Sequence, residues 1–464
     1  MTTLTSHPSA DAGLAGPGAP SRPRRPVHRL AAWPVTGLLL LYPLWWALGL
    51  GVLIFFVAAV PMAWSLIRHR AAGHVVKLPP GFLLWLLFLA TVGFGLFTLG
   101  ADPAGTVPGT WSSRSVSYAF RLGGYGALTV LLVYAGNLER RVLTQERFVR
   151  LLAWLFAVTV AGGVLGMAAP RFEFTAPVEL LLPAHVRHDG FVQSLVHPTA
   201  AQVMNLLGGE TPRPGAPWGY TNTWGNNVCL LVGWLAVAGF WLARRRRTRI
   251  AAAATLLVAV VPIVYSLNRG LWIGLGVMAV YVAVRLALRG RLAALGLVAV
   301  VTVGLAVALA VTPLGDVVNA RVDDGKSNGV RMYTTQKALT GMWESPLIGF
   351  GSTRSTIGGR NSIAVGESSS CARCGNFTIG GNGQLWQLLY AHGLLGTLSY
   401  IGFFLAGLWR FRRDASPIGL AGGAALVSGF AAMLWYNALV TPLALTFLAY
   451  AVLWRNQQKG FSER

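Results

Sequence analysis

Between Arg244 and Arg291 the chain reads RRRRTRIAAAATLLVAVVPIVYSLNRGLWIGLGVMAVYVAVRLALRGR. Arginines at 244–247 and 249 precede an apolar run at about 250–267. A short polar turn follows, and a second run at about 270–288 ends among Arg285, Arg289 and Arg291. At about 1.5 Å per residue, runs of this length match the roughly 30 Å apolar core of a bilayer. Basic clusters at both outer ends place those ends in the cytoplasm. The stretch therefore reads as a helical hairpin that crosses a membrane twice, with Arg269 in its outer turn.

The same reading extends over the whole chain. Of 464 residues, 54% are hydrophobic and only 11% are charged, and mean hydropathy is +0.56. A soluble domain carries roughly 25% charged residues, so lipid is the expected solvent. Twelve apolar runs stand out, at about 32–47, 49–67, 80–99, 116–137, 150–169, 223–243, 250–267, 270–288, 292–312, 384–409, 416–434 and 436–454. The first two form one long run flanked by basic residues on both sides, so they read as a hairpin turned near Gly49 and Gly51. The expectation is an all-α integral membrane protein of about twelve transmembrane helices in a cell membrane. Both termini are then cytoplasmic, and two long extracytoplasmic loops cover about 170–222 and 313–383. Residues 1–30, rich in Pro, Ala, Gly and Ser with several Arg, read as a disordered basic cytoplasmic tail before the membrane domain at 31–464. The net charge of +23 lies in short runs between apolar segments. This is the positive-inside pattern rather than a nucleic-acid footprint.

Chemistry is then expected on the outer face. Arg269 falls at the N-terminus of the eighth helix, where free N–H groups and the helix dipole favour an anion. A guanidinium there suits a diphosphate, unless it merely snorkels to headgroups. Arg121 lies within the fourth helix, on one face with Arg114, and an intramembrane Arg tends to face a polar cavity or a partner. Arg331 heads a loop helix expected over 329–343, with Met332, Leu339, Met342 and Trp343 on its apolar side and Pro346 beyond its end. Arg213 precedes the cluster of Tyr220, Asn222, Trp224 and Asn226, where aromatic faces and amides suit a sugar or form an interfacial belt. Arg354 and Gln384 flank the same outer region. Cys371 and Cys374 form a Cys-x-x-Cys outside the cytoplasm, read as a local disulfide ahead of free thiols or a metal. A segment around Glu179, Leu180, Leu181 and Val186 reads as amphipathic and lying on the membrane.

Three blocks resemble the O-antigen ligase and polymerase family of polytopic membrane glycosyltransferases. They are the Asn268-Arg269-Gly270 turn; Gly329-Val330-Arg331 followed by a helix ending in Ser345-Pro346-Leu347-Ile348-Gly349-Phe350-Gly351; and Asn382-Gly383-Gln384 running on to His392-Gly393-Leu394-Leu395-Gly396. The resemblance covers about 210–410. It implies a polyprenyl-diphosphate-linked glycan as donor and a lipid or glycan as acceptor, with no cofactor. Arg269 and Arg331 match the family's diphosphate-binding arginines. Asn382 stands where many members have a His, and an amide cannot act as a general base. Glu210, Asp323, Asp324 and Glu344 are the outer carboxylates nearest these blocks. Arg269, Arg331 and Asn382 are thus the expected catalytic set. Arg213, Tyr220, Asn222, Trp224, Asn226, Arg121, Arg354 and Gln384 are the expected substrate contacts, with no metal. A polymerase of lipid-linked repeat units is the alternative within the family, and a polysaccharide or lipid flippase the alternative outside it.

Overall fold

The computed structural model describes residues 29–205, 210–293, 295, 296, 298–300, 325–357 and 377–458. The N-terminal runs form α1 (Trp33–Leu40), α2 (Tyr42–Ala47), α3 (Ile54–Ala71) and α4 (Phe82–Phe94). Two long helices follow, α5 (Trp111–Asn137) and α6 (Gln145–Ala168). The next loop carries α7 (Pro177–Leu180), α8 (Ala184–Arg187), α9 (Gly190–Val196) and the antiparallel strands β1 (Ala201–Asn205) and β2 (Glu210–Pro214). Then come α10 (Thr221–Ala236), which continues through a π turn at Val237–Trp241, α11 (Arg246–Tyr265) and α12 (Arg269–Ala287). The C-terminal part holds α13 (Gly325–Glu344), α14 (Gln384–Phe411), α15 (Pro417–Ala432) and α16 (Thr441–Gln457).

Among the described residues, six helices are long and apolar enough to cross a membrane: α5, α6, α10 with its π turn, α11, α12 and α14. α4 and α15 are apolar but shorter. The protein is thus a mostly helical, membrane-embedded chain. Several expected runs are reshaped by packing. The run at 32–47 breaks at Leu41, because Pro43 opens α2 without an N–H to continue the ladder. The run at 80–99 stops at Phe94, since Gly95 lies against Gly351 so closely that a Cβ would meet its Cα at 2.6 Å. The last helix starts at Thr441 instead of 436. About two thirds of the run at 292–312 lie outside the described residues, as do residues 1–28 of the expected tail at 1–30 and Cys371 and Cys374. The helical expectation holds in outline, with one short hairpin, β1 and β2, added in the loop after α6. Pro212 and Pro214 argue against a strand in sequence, but β2 needs only one partner, an arrangement that tolerates Pro.

The centre of the bundle is α16, buried on every side from Thr441 to Arg455. A helix apolar all round has no face for water or lipid and goes to the middle. Gly136 of α5 lets Trp454 approach to what would be 2.0 Å from a Cβ. Trp85 and Phe88 of α4, Tyr125 of α5, Tyr400 and Phe403 of α14 and Phe447 of α16 form one aromatic core. Trp85 meets Phe447 edge-on with ring centroids 5.0 Å apart.

The basic clusters gather at one end of this bundle. There Arg140 donates to the carbonyl of Arg455, Arg455 to that of Leu143, Arg285 to that of Asp414 and Arg289 to that of Ala415. Asn137 and Lys77 exchange two bonds of 2.8 Å at the same end. α5, α12, α14 and α16 all finish there, so their N-termini lie together at the opposite end.

Candidate functional site at the end opposite the basic clusters

The turn before α12 is built around Asn268. Its side chain accepts from Leu271 N at 3.4 Å, capping the helix, and donates to Thr221 O at 3.1 Å, where α10 begins. Tyr436 Oη, from the connection between α15 and α16, donates to the same Asn268 side chain. Leu267, immediately before, has φ +48°, a left-handed backbone that costs a non-glycine residue roughly 1 kcal/mol or more. Such strain persists only where the surroundings enforce it. Arg269 is held at the start of α12 next to Gly270, whose missing side chain leaves room for Trp435 and Tyr436. A Cβ there would stand 2.3 Å from Trp435 Cδ1.

Arg331 approaches the same pair from α13. Its guanidinium donates to Trp435 O at 3.5 Å. Asn382 fastens α13 to the head of α14, donating to Arg331 O at 3.3 Å and Thr335 Oγ1 at 2.7 Å. Its own carbonyl oxygen is buried and has no partner among the described residues. Gln384 N donates to Tyr436 O at 2.8 Å, and Arg213 Nε donates to Ser266 O at 2.7 Å. Burial raises the Tyr436 phenol above its ordinary value, while Arg213, the Asn268 bond and Arg331 act in the other direction. Arg269, Arg331, Arg213 and Asn382, spread over 170 residues of chain, thus converge around Trp435 and Tyr436. That pair did not stand out in the sequence. Its one signal was a polar aromatic step, Trp435-Tyr436-Asn437, between two apolar runs with no basic cluster.

No protein-family model matches this chain, and no curated relative matches it.

The other expected contacts divide. Tyr220 and Asn222 are exposed at the head of α10 and open to a ligand. Asn226 is buried, and its side-chain oxygen has no partner among the described residues. Trp224 is corrected: it is fully buried, donates to Thr159 O at 2.9 Å and packs on Gly163, so it serves the α6–α10 contact and stacks on no sugar. Gln384 is also interior, bonded to Tyr125 Oη at 3.4 Å and Ala438 N at 3.0 Å. Arg354 is 3% exposed, and its donors go to oxygens of Leu99, Ala101, Phe350 and Ser352. It clamps two loops together instead of facing a ligand, and burial lowers its pKa to about 10. Beside it Arg114 pairs with Asp102 and holds that carboxyl below the usual carboxylate range. The α13 expectation also changes. The helix begins at Gly325 rather than 329, and Met332, Leu339 and Trp343 are exposed, while Ala338 and Met342 face the protein. Glu179 turns inward onto His197 Nδ1 at 2.8 Å, leaving Leu180 and Leu181 exposed. Glu344 is exposed at the far end of α13, and Asp323 and Asp324 lie outside the described residues.

Beneath the site α14 is broken. Gly393 has φ +60° and ψ −166°, and the segment 346–351 fills the gap. Phe350 N and Gly351 N donate to Tyr390 O and Ala391 O at 3.1 and 2.8 Å. Leu394 N and Leu395 N donate to Pro346 O and Leu347 O at 2.7 and 3.2 Å. The freed backbone groups of the break are thereby bonded within the protein, as a low-dielectric interior requires. This explains the glycines in both blocks: at Gly349 a Cβ would lie 2.6 Å from Ala391 C. Deeper still, Arg121 reaches Thr353 Oγ1 at 3.0 Å with one nitrogen unpartnered, and both nitrogens of fully buried His392 lack a partner among the described residues. Buried polar atoms of this kind take ordered water or ligand hydroxyls.

Proposed function

We propose that this protein is an outer-face membrane glycosyltransferase of the O-antigen ligase type. It moves an oligosaccharide or polysaccharide from a polyprenyl-diphosphate carrier to an acceptor. One observation carries this reading: three blocks remote in sequence bring Arg269, Arg331 and Asn382 to a single polar rim around Trp435–Tyr436, at the end away from the basic clusters. In the reaction an acceptor hydroxyl oxygen bonds to the anomeric carbon, the bond from that carbon to the phosphate oxygen breaks, the diphosphate leaves with the electron pair, and the hydroxyl proton passes to the departing diphosphate or to water. Arg269 and Arg331 neutralise the charge that it gains, which is electrostatic transition-state stabilisation. The unpartnered Asn382 oxygen accepts from a sugar hydroxyl and orients it. The direct test is transfer from a purified lipid-linked donor by the protein in proteoliposomes. Absence of transfer to any offered lipid or glycan acceptor, with donor and protein intact, counts against the reading.

A flippase is less well supported. Broken helices line the substrate path in many transporters, but here the break at Gly393 is filled by residues 346–351.

Two further results are expected. Asn382→Ala removes the one hydrogen bond proposed to the substrate, roughly 1 kcal/mol, besides its two bonds to α13, whose loss a melting curve reads. Transfer should fall about fivefold, far less than for the arginines, and a loss as deep as theirs would show that Asn382 does more than orient. The topology proposed with this function is twelve spans, cytoplasmic termini, and outer loops at about 170–222 and 313–383. In a cysteine-free background, a membrane-impermeant thiol reagent applied to intact cells should label Ser194→Cys and leave Gln457→Cys unmodified. Labelling at 457 would refute that arrangement.

A further inference from the structure

One face of α6 lies along two consecutive hollows. The first has a volume of about 540 Å³ and opens at the basic end, between Arg150 and Trp154 of α6, Arg244 and Arg245 before α11, and Thr248 and Ala251 of α11. The second, about 490 Å³, shares Trp154 and Ala157 with it and continues up α6 to Gly162 and Leu165 beside Ala216–Pro217. Residues 150, 153, 154, 157, 161, 162 and 165 share one helical stripe. Small side chains hollow that stripe, and the facing wall is equally lean. Gly239, in the π turn after α10, sits so close to α11 that a Cβ would meet Ala252 Cβ at 2.2 Å.

The mouth of the first hollow differs sharply from its floor. Arg244, Arg245 and Thr248 are exposed there, and Arg150, paired with Glu146 at 3.2 Å, forms the opposite lip. α11 begins at Arg246 with no side-chain cap; Thr248 N is bonded to Arg245 O at 3.1 Å, which leaves the N–H groups of Arg246 and Arg247 without a bond inside the helix. A helix N-terminus beside guanidinium groups favours a phosphate. The floor below, with Ala153, Trp154, Ala157 and Leu235, is apolar and gives a lone phosphate nothing to bind. From Arg150 to Ala161 the stripe rises roughly 16 Å at 1.5 Å per residue, about one leaflet of a bilayer.

We infer that this hollow is a binding site for an anionic phospholipid of the leaflet on the basic side. Its phosphate sits at the N-terminus of α11 between Arg244 and Arg245, and one acyl chain follows Trp154 and Ala157 along α6. A zwitterionic lipid of the same chains is disfavoured, because its cationic headgroup meets the arginines. The site is independent of glycan transfer, so its failure leaves the transferase reading untouched.

The test uses the full chain, purified in detergent and exchanged into nanodiscs of mixed phosphatidylglycerol and phosphatidylcholine with identical acyl chains. Native mass spectrometry then reads the lipid retained. Phosphatidylglycerol should be enriched over phosphatidylcholine about tenfold or more, given about fivefold per arginine near a headgroup. Arg244→Gln with Arg245→Gln should abolish that enrichment. Ala157→Phe, which fills the floor and keeps every arginine, should also lower retention, and millimolar inorganic phosphate should not displace the lipid. Melting temperature checks that each variant is folded. Equal retention of the two lipids overturns the site. So does undiminished phosphatidylglycerol in Ala157→Phe, which reduces the effect to surface charge, or displacement by inorganic phosphate.

Discussion

Glycan transfer should fall at least about a hundredfold when Arg269 or Arg331 is replaced by alanine, with the protein still inserted at normal levels. Removing one donor to a developing oxyanion costs about 2.7–4 kcal/mol, which corresponds to roughly a hundred- to a thousandfold in rate. Arg269→Lys keeps the charge but loses the planar fork that grips two phosphate oxygens, so it should also be impaired. Both arginines border Trp435–Tyr436, one through Gly270 and one through a bond to the Trp435 carbonyl. Their contributions should therefore be non-additive, with the double variant little worse than the worse single one. The measurement is glycan transferred from a purified lipid-linked donor in proteoliposomes, with a melting curve for each variant. Near-normal transfer by the double alanine variant would sink the proposed role and move weight to transport.

The second large effect is on stability. Gly393→Val should cost roughly 2–6 kcal/mol. Its φ and ψ lie in a region that is essentially glycine-only, at about 1–3 kcal/mol for another residue, and overpacking adds about 1–3 more. A Cβ there would stand 2.5 Å from the backbone of Leu347, which cannot yield without breaking the bonds that close the helix gap. Thermal denaturation in detergent should show a clear fall in melting temperature, and low yield from membranes should accompany it. Gly276→Ala in α12 is the matched control. Nothing lies within 4 Å of its added Cβ, so it should be neutral or slightly stabilising. If Gly393→Val melts with the parent, the break and its filling are not as described.

The link between residues 346–351 and Gly393 also gives two of the sequence blocks a physical meaning. The Ser-Pro-Leu-Ile-Gly-Phe-Gly block and the Gly-Leu-Leu-Gly block are two halves of one contact, each supplying the backbone groups that the other lacks. Through it α13, which carries Arg331, is fixed to α14, which follows Asn382. No periodicity announces such a contact. It is made by main-chain atoms of residues forty or more positions apart, and its trace in sequence is glycine where a side chain would collide.

Much was nonetheless legible from the residues alone. Long apolar runs between arginine clusters can only satisfy their backbone as helices in a bilayer, so α5, α6, α10, α11, α12 and α14 follow from composition and order. Arg269 at a helix N-terminus was readable too, because the turn before it is polar and short. Tertiary packing decided what one-dimensional patterns do not encode. It turned Trp224 and Arg354 inward, since an aromatic ring and a guanidinium serve a core or a loop as readily as a ligand when shape and carbonyls are at hand. It exposed Met332 and Trp343, brought Trp435–Tyr436 to the centre of the rim, and set Pro212 and Pro214 in a strand. Hydropathy reports which solvent a segment prefers, while the neighbour that each side chain meets depends on distant segments arriving at the same place.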